Sequence, residues 1–529
     1  MTIQQLTKDC VKKYSGHTAF QMRVGDGWQR ITFRETAELI PKIQSALVKF
    51  GVAHGDRVVL ISENRPEWPI AYLAICSMGA VAVPLDAMLS KDEIFTFIID
   101  SGAKAIILSS KLAGYLKGTA FDNVKIVMEY IPQLRDGQDH SFKVEADDLA
   151  AIVYTSGTTG NPKGVMLTHH NIMSNVTAVG KLFDLGPGDN FLSVLPLHHT
   201  FETTAGFLGA FSLGCTITYT ESLKSYNLLR NMQETGVTVM CGVPLLYQLL
   251  LDGIMREVEA KNMDTLFNIL RGISNLFLTI IGINIGKYLF SIVHNKFGGK
   301  IRFFVSGGAA LDPSIIKEFN ILGLTLLQGY GLTESSPILT CCTLQHNKVG
   351  SVGRAIEGVK LKIAGSAPVG EILASGPNIM RGYYRRKDLT NEVIKQGWLS
   401  TGDVGYLDED GYLFITGRNK DVIVTGSGVN VYPEELELLL NKIGQIKEAC
   451  VLGAKIREGL RRGGEEAAAV IVPNEGADEE EIKTAIACLN LRLPEYKRIA
   501  RVILRRQDLP KTRLLKVKKH LVRKEMGII

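Results

Sequence analysis

LAAIVYTSGTTGNPKG, residues 149–164, sets an apolar run against a loop of glycines, hydroxyls and one lysine. The run AAIVY has the length and the aliphatic content of a buried strand. In YTSGTTGNPKG (154–164) the glycines let backbone N–H groups approach an anion with no Cβ in the way, the Ser and Thr hydroxyls add donors, and Lys163 adds a charge. HHNIMSNVTAVGKLF reads as the helix that follows, which predicts a strand–loop–helix turn, the place where α/β sheets bind polyphosphate. No G-K-[ST] occurs in the chain, so P-loop hydrolase mechanics do not transfer.

Working outward, the same alternation recurs. Thr32 and Glu35 make a capping box that opens an amphipathic helix, DRVVLISE (56–63) reads as a buried strand, RPEWPIAYLAICSMGA (65–80) as a helix, and VAVPL (81–85) as a short strand. The fold class expected is α/β, with a large N-terminal domain of parallel or mixed sheets covered by helices. At 529 residues the chain exceeds what one core supports, about 250–300 residues. The boundary is placed near 416–420, giving domains 1–417 and 418–529. The second reads as a small α+β unit, with helices PEELELLLNKI and ADEEEIKTAIACLNLRL and strands KEACVLGA and AAAVIVP.

Composition (46% hydrophobic, 22% charged, 53 glycines) is that of a folded globular protein. Eight cysteines with no C-x-x-C pair and no zinc-ligand spacing point to reduced thiols. The polar MTIQQLTKDCVKK start has no apolar signal core, so a cytoplasmic location is expected, with a peripheral position on the inner membrane face as an option. No nucleic-acid partner is expected. Residues 490–529 hold thirteen Lys or Arg against three acids, which reads either as a solvated basic end or as a receiver for an anionic partner. The apolar segment 266–297 is interrupted too often to span a bilayer and reads as two amphipathic helices, serving core packing, an apolar-substrate channel or a face on lipid.

Five further motifs follow the glycine loop in order: LPLHHTFE (195–202), VSGGAAL (305–311), QGYGLTESSP (328–337), WLSTGDVGYLDEDGYLFITGR (398–418) and GRNKDVIVTGSGVNVYPEELE (417–437), with PKTRLLK (510–516) near the end. Together they resemble the adenylate-forming acyl-CoA synthetases, which include long-chain fatty-acid CoA ligases, over nearly the whole chain. The resemblance implies ATP, Mg²⁺ and coenzyme A as cofactors or co-substrates, and a small C-terminal lid that moves between two half-reactions. It places Thr155, Ser156, Gly157, Thr158, Thr159, Gly160 and Lys163 on the phosphates, Gly307, Gly308, Ala309, Gln328, Gly329, Tyr330 and Gly331 on the adenine side, and His199 by the carboxylate. Thr333 then meets the α-phosphate, Glu334 with Thr155 holds the metal, and Asp403 and Arg418 bind the ribose. Lys420 is the hinge, Ser427 and Gly428 line the thiol channel, and Lys516 is the catalytic cation. The terminal motif of that family is P-K-T-x-x-G-K, and Leu515 stands here in place of its glycine.

The resemblance implies a two-step reaction: a fatty carboxylate attacks the α-phosphate of ATP, and the thiol of CoA then displaces AMP. The stretch 253–300 is longer than in relatives acting on short or aromatic acids, which implies a medium-to-long-chain fatty acid, with peripheral membrane contact as an accompanying option. Three alternatives stay open: an acyl carrier protein as acceptor, a luciferase-like oxidase of acyl adenylates, and a nucleotide-binding relative without catalysis.

Overall fold

The computed structural model describes all residues except 136, 139, 141, 156–162, 426–428, 456–463, 513–516 and 529. The chain forms two compact units, Met1–Lys360 with Ala374–Leu399, and Leu361–Leu373 with Ser400–Ile529.

In the first unit the expected α/β architecture is present as two sheets. The seven-stranded sheet runs, from one edge to the other, Gly382–Tyr383, Lys163–Thr168, Leu149–Thr155, Val81–Leu85, Arg57–Ile61, Ala105–Leu108 and Lys125–Val127. Pairings are parallel from Leu149–Thr155 to Lys125–Val127 and antiparallel at the other edge. Val81–Leu85 and Ala105–Leu108 are buried at every position, as strands covered on both faces must be. The nine-stranded sheet has six parallel strands at its centre, from Leu326–Gly331 to Thr18–Val24, with antiparallel strands at both edges.

Helix Phe33–Lys49 opens on the expected capping box, in which the Glu35 N–H donates to Thr32 Oγ1 at 3.1 Å and the Thr32 N–H to Glu35 Oε2 at 2.7 Å. Helix Glu67–Ser77 is buried along its whole length, as its all-round apolar sequence requires, and Trp68 stacks on Tyr72 inside it.

The segment 266–297 forms helix Asp264–Leu276, a π-helical turn Phe277–Ile281, and short helices Gly286–Leu289 and Ser291–Lys296. Among the described residues no helix is long and apolar enough to cross a membrane.

The second unit is built on a three-stranded sheet in which Glu465–Pro473 lies between Ile446–Lys455, antiparallel to it, and Ile499–Leu504, parallel to it. Side chains of Ile446–Lys455 alternate between two cores: Ala449 and Val451 join one, Cys450, Leu452 and Ala454 the other. Compactness starts this unit at Ser400 on its C-terminal side, because the strand carrying Asp403 is hydrogen-bonded to Leu413–Arg418.

Candidate active site

The glycine loop is carried differently from the strand–loop–helix turn expected. Lys163–Thr168 is a strand antiparallel to Leu149–Thr155, and helix His169–Leu182 begins only after it. The strands on either side of the loop are therefore antiparallel neighbours, and the helix that follows does not begin at its end. The apolar VMLT that follows Gly164 is the signal that would have revealed the second strand. Thr155 and Lys163 face each other as the last described pair of the hairpin. Ser156, Gly157, Thr158, Thr159 and Gly160 lie outside the described residues. Gly164 is obligatory for packing, since a Cβ there would stand 2.8 Å from Ile152 Cγ2.

Beside this hairpin the structure assembles a group that includes one residue the sequence reading missed. Tyr383, on the short strand paired with Val165, donates its phenolic hydrogen to Glu334 Oε1 at 2.8 Å. The Lys163 ammonium lies 5.3 Å from the centroid of the same ring. The Met380 N–H donates to the Glu334 carbonyl at 2.8 Å, fixing the turn Thr333–Ser335 from behind. Burial, and then the charge of Glu334, push the Tyr383 phenol well above its ordinary range, so it acts as donor and Glu334 as acceptor. The Gly382-Tyr383 pair was visible in the sequence, but only the sheet shows which carboxylate it meets.

Gly331, just before Thr333, is enforced by a collision that any Cβ would make with the Pro337 carbonyl oxygen. Gln328, Gly329, Tyr330 and Gly331 lie along Leu326–Gly331, and Ser306, which precedes Gly307, Gly308 and Ala309, stands opposite Gln328 in register. Ser306 Oγ and Gln328 Oε1 are buried without a hydrogen-bond partner. Unsatisfied polar atoms at this depth suit a surface that completes its bonding with a ligand. Gly307 is confined by the Phe201 ring, 3.0 Å from where its Cβ would stand.

His199 is half-buried, its ring 5.2 Å from that of His198, and its carbonyl accepts from the Thr203 N–H at 3.0 Å and from Thr203 Oγ1 at 3.1 Å. This fixes the entry to a π-helix, Glu202–Gly209, a backbone form frequent at functional sites. Glu202, which the sequence reading passed over, is fully buried there with both carboxylate oxygens unpartnered, and burial pushes its carboxyl up to about 8.

The remaining expected residues belong to the second unit. Asp403 faces Arg418 across paired strands, with Arg418 Nε 3.1 Å from Asp403 Oδ1. Lys420 sits in the turn Asn419–Asp421 that follows. Ser427, Gly428, Leu515 and Lys516 lie outside the described residues. Among the described residues on either side, Lys511 bridges to Val517, and the Lys518 N–H donates to the Pro510 carbonyl at 2.7 Å.

The basic end is not simply a solvated face. Lys519 lies 3.2 Å from Glu434 and 3.1 Å from Glu437, and although burial works to lower its pKa, the two carboxylates outweigh it and leave a fixed cation with a raised pKa. Lys511 pairs with Glu448, Arg501 with Glu466 and Arg505 with Glu525.

The residues present fit a magnesium ion in their donor chemistry: Glu334 offers a half-buried carboxylate and Thr155 a hydroxyl, both hard oxygens. A glycine-rich loop flanked by paired strands and an adjoining carboxylate turn in the first unit, and an Asp–Arg pair in the second, are features that an adenylate-forming ligase calls for. The chain belongs to the AMP-binding enzyme family, whose profile matches residues 7–384, while that of the AMP-binding enzyme C-terminal domain matches 435–516. It is 30% identical to a feruloyl-CoA synthase of an Amycolatopsis species over 515 residues, 95% of this chain and 96% of the relative. It is 29% identical to a long-chain-fatty-acid–CoA ligase of Mycobacterium tuberculosis over 470 residues, 83% of this chain and 77% of the relative. Among solved structures, the ATP-bound MatB of Rhodopseudomonas palustris superposes with a TM-score of 0.81 at 26% identity, covering 99% of both chains.

Proposed function

We propose that this protein activates a medium-to-long-chain fatty acid as its acyl adenylate and transfers the acyl group to coenzyme A. The observation that carries the adenylation chemistry is the Glu334–Tyr383–Lys163 group beside the glycine hairpin. The likeness to a long-chain-fatty-acid–CoA ligase supports the choice of acid.

A carboxylate is a poor acyl donor because its leaving group would be oxide. Attack of one carboxylate oxygen on the α-phosphorus forms the mixed anhydride and breaks the bond to pyrophosphate, so that AMP becomes the later leaving group. Two anions have to meet, and the site must relieve their repulsion. In this reading the 156–162 backbone and Lys163 hold the β- and γ-phosphates, Thr333 meets the α-phosphate, and Lys516 bridges it to the carboxylate, with His199 at the acyl side. Glu334 and Thr155 would hold Mg²⁺, which supplies charge neutralisation on the phosphates when bound. Asp403 and Arg418 take the ribose hydroxyls. Residues 418–529 act as the lid, Lys420 as its hinge, and Ser427 and Gly428 as the wall of the thiol channel in the second step.

The 30% identity to a feruloyl-CoA synthase gives an aromatic acid a specific claim as the second reading. The deciding experiment is a panel of acids, acetate to stearate plus ferulate, with ATP, Mg²⁺ and either CoA or acyl carrier protein. Pyrophosphate release and thioester formation should be strongest from decanoate to stearate with CoA. Preference for ferulate would replace the fatty acid, preference for carrier protein would replace the acceptor, and absence of pyrophosphate with every acid would remove adenylation altogether.

A further inference from the structure

Helix Asp264–Leu276 is built the wrong way round for a helix that ends in water. The face it lays on the protein is largely polar. Arg271 Nε bonds Glu318 Oε2 at 2.8 Å, and the Ser274 hydroxyl donates to the Ile321 carbonyl at 2.6 Å, with Phe267 one turn earlier as a buried ring against Phe290. The opposite face is apolar and exposed. Leu266, Ile269, Ile273 and Leu276 recur at alternating three- and four-residue steps, and Ile280 in the turn Phe277–Ile281 extends the row, 75% exposed. Water alone would favour the reverse orientation. A continuous exposed stripe of this kind marks a surface that is covered in use.

Charge selects what covers it. Residues 265–300 contain no Asp or Glu but four basic side chains. Of these, Arg271 is paired with Glu318 and Lys296 with Glu257, whereas Lys287 and Lys300 are exposed. Tyr288, beside Lys287, is 82% exposed, the placement of an amphipathic ring at a headgroup boundary. Asp264 at the helix start is set against Lys287 and Lys300, so a second copy docked about a two-fold axis would bring two net-positive surfaces together. An anionic lipid surface instead meets Lys287 and Lys300 with headgroups and receives the stripe among the acyl chains.

We propose that the face formed by Asp264–Leu276 and Phe277–Ile281, with Lys287, Tyr288 and Lys300, docks on an anionic lipid surface. The segment that the sequence offered as core, substrate channel or lipid face is thereby assigned to the last.

The test is co-sedimentation of the full-length protein with vesicles of phosphatidylcholine, alone or with one third phosphatidylglycerol. The expected result is binding to the mixed vesicles that falls at least about tenfold in I273D/I280D and in K287E/K300E, and also at high salt. All four side chains are exposed, thermal melts check that each variant is folded, and either pair alone decides the question if the other does not fold. Binding to neither vesicle, or undiminished binding by the folded variants, overturns the proposal. Equal binding to neutral vesicles overturns its electrostatic part. A vesicle-free dimer that I273D/I280D dissociates assigns the stripe to a second copy. Sedimentation needs neither ATP nor acid, so failure here leaves the ligase reading untouched.

Discussion

Tyr383 and Glu334 are joined by a 2.8 Å hydrogen bond from phenol to carboxylate, and the same phenol ring carries Lys163 over its face. One aromatic side chain thus touches both an anion and a cation, the two that the proposed function assigns to the metal and the phosphates. Tyr383 itself needs no contact with the nucleotide to matter.

Replacing Tyr383 with Phe keeps the ring under Lys163 and removes only the bond to Glu334. Because one such bond is worth about 1 kcal/mol net, stability should change little. Pyrophosphate release should fall by roughly tenfold, and the Mg²⁺ concentration for half-maximal rate should rise. A fall in rate with no change in Mg²⁺ dependence would show that Tyr383 does not position the metal ligand.

Lys516→Ala should abolish acyl-adenylate formation while leaving thioester formation from presynthesised acyl-AMP largely intact. Separate assays of the two half-reactions check this, and equal loss of both would make the lysine structural. Leu515→Gly restores the glycine of the P-K-T-x-x-G-K pattern and should raise the first half-reaction without raising the second.

Glu202 makes the stability of the first unit pH-dependent in the alkaline direction. Its folded carboxyl titrates at about 8, whereas an unfolded Glu titrates near about 4.3. Between those values the native state binds more protons than the unfolded state, so stability falls as pH rises through the window. Glu202→Gln should flatten that fall, raising Tm at pH 8 and changing it little at pH 4. Parallel melts of the two proteins across this range provide the measurement.

His169 acts in the opposite direction. It is buried, its Nδ1 accepts the Ile3 N–H at 3.2 Å, and burial lowers its pKa to about 4. Between about 6.5 and that value the unfolded state takes up the proton first, so stability is lost as pH falls. His169→Gln should reduce the acid-side slope of Tm between pH 6.5 and 4, even if it lowers Tm at neutral pH.

Asp403→Asn keeps the side-chain shape but removes the charge opposite Arg418. The KM for ATP should rise by about tenfold or more with a smaller change in kcat, read from initial rates at saturating acid. An unchanged KM would separate this pair from nucleotide binding.

Local chemistry made much of the fold legible. Val81–Leu85 and Glu67–Ser77 are apolar on every side, so their burial follows from the sequence without knowing their neighbours. Thr32 and Glu35 cap a helix through contacts three residues apart. The error at the glycine loop has a similar local origin: Lys163–Thr168 was absorbed into the approach to a helix, although its partner strand lies immediately upstream. Glu202 was missed for a different reason. A glutamate in a sequence carries no sign of its burial, and its raised pKa comes entirely from what surrounds it.

The sequence by itself determined the order of motifs, the α/β class and the candidate residues that recur at fixed spacing, because these depend on periodicity and on side chains near one another along the chain. Tertiary structure alone decided that Tyr383 bonds Glu334, forty-nine residues away, that the terminal lysines are tied to Glu434, Glu437 and Glu448, and that Leu266, Ile269 and Ile273 face outward. Those outcomes depend on long-range registry and on which face of each element is covered. Amphipathic spacing defines a face but does not tell which way it turns.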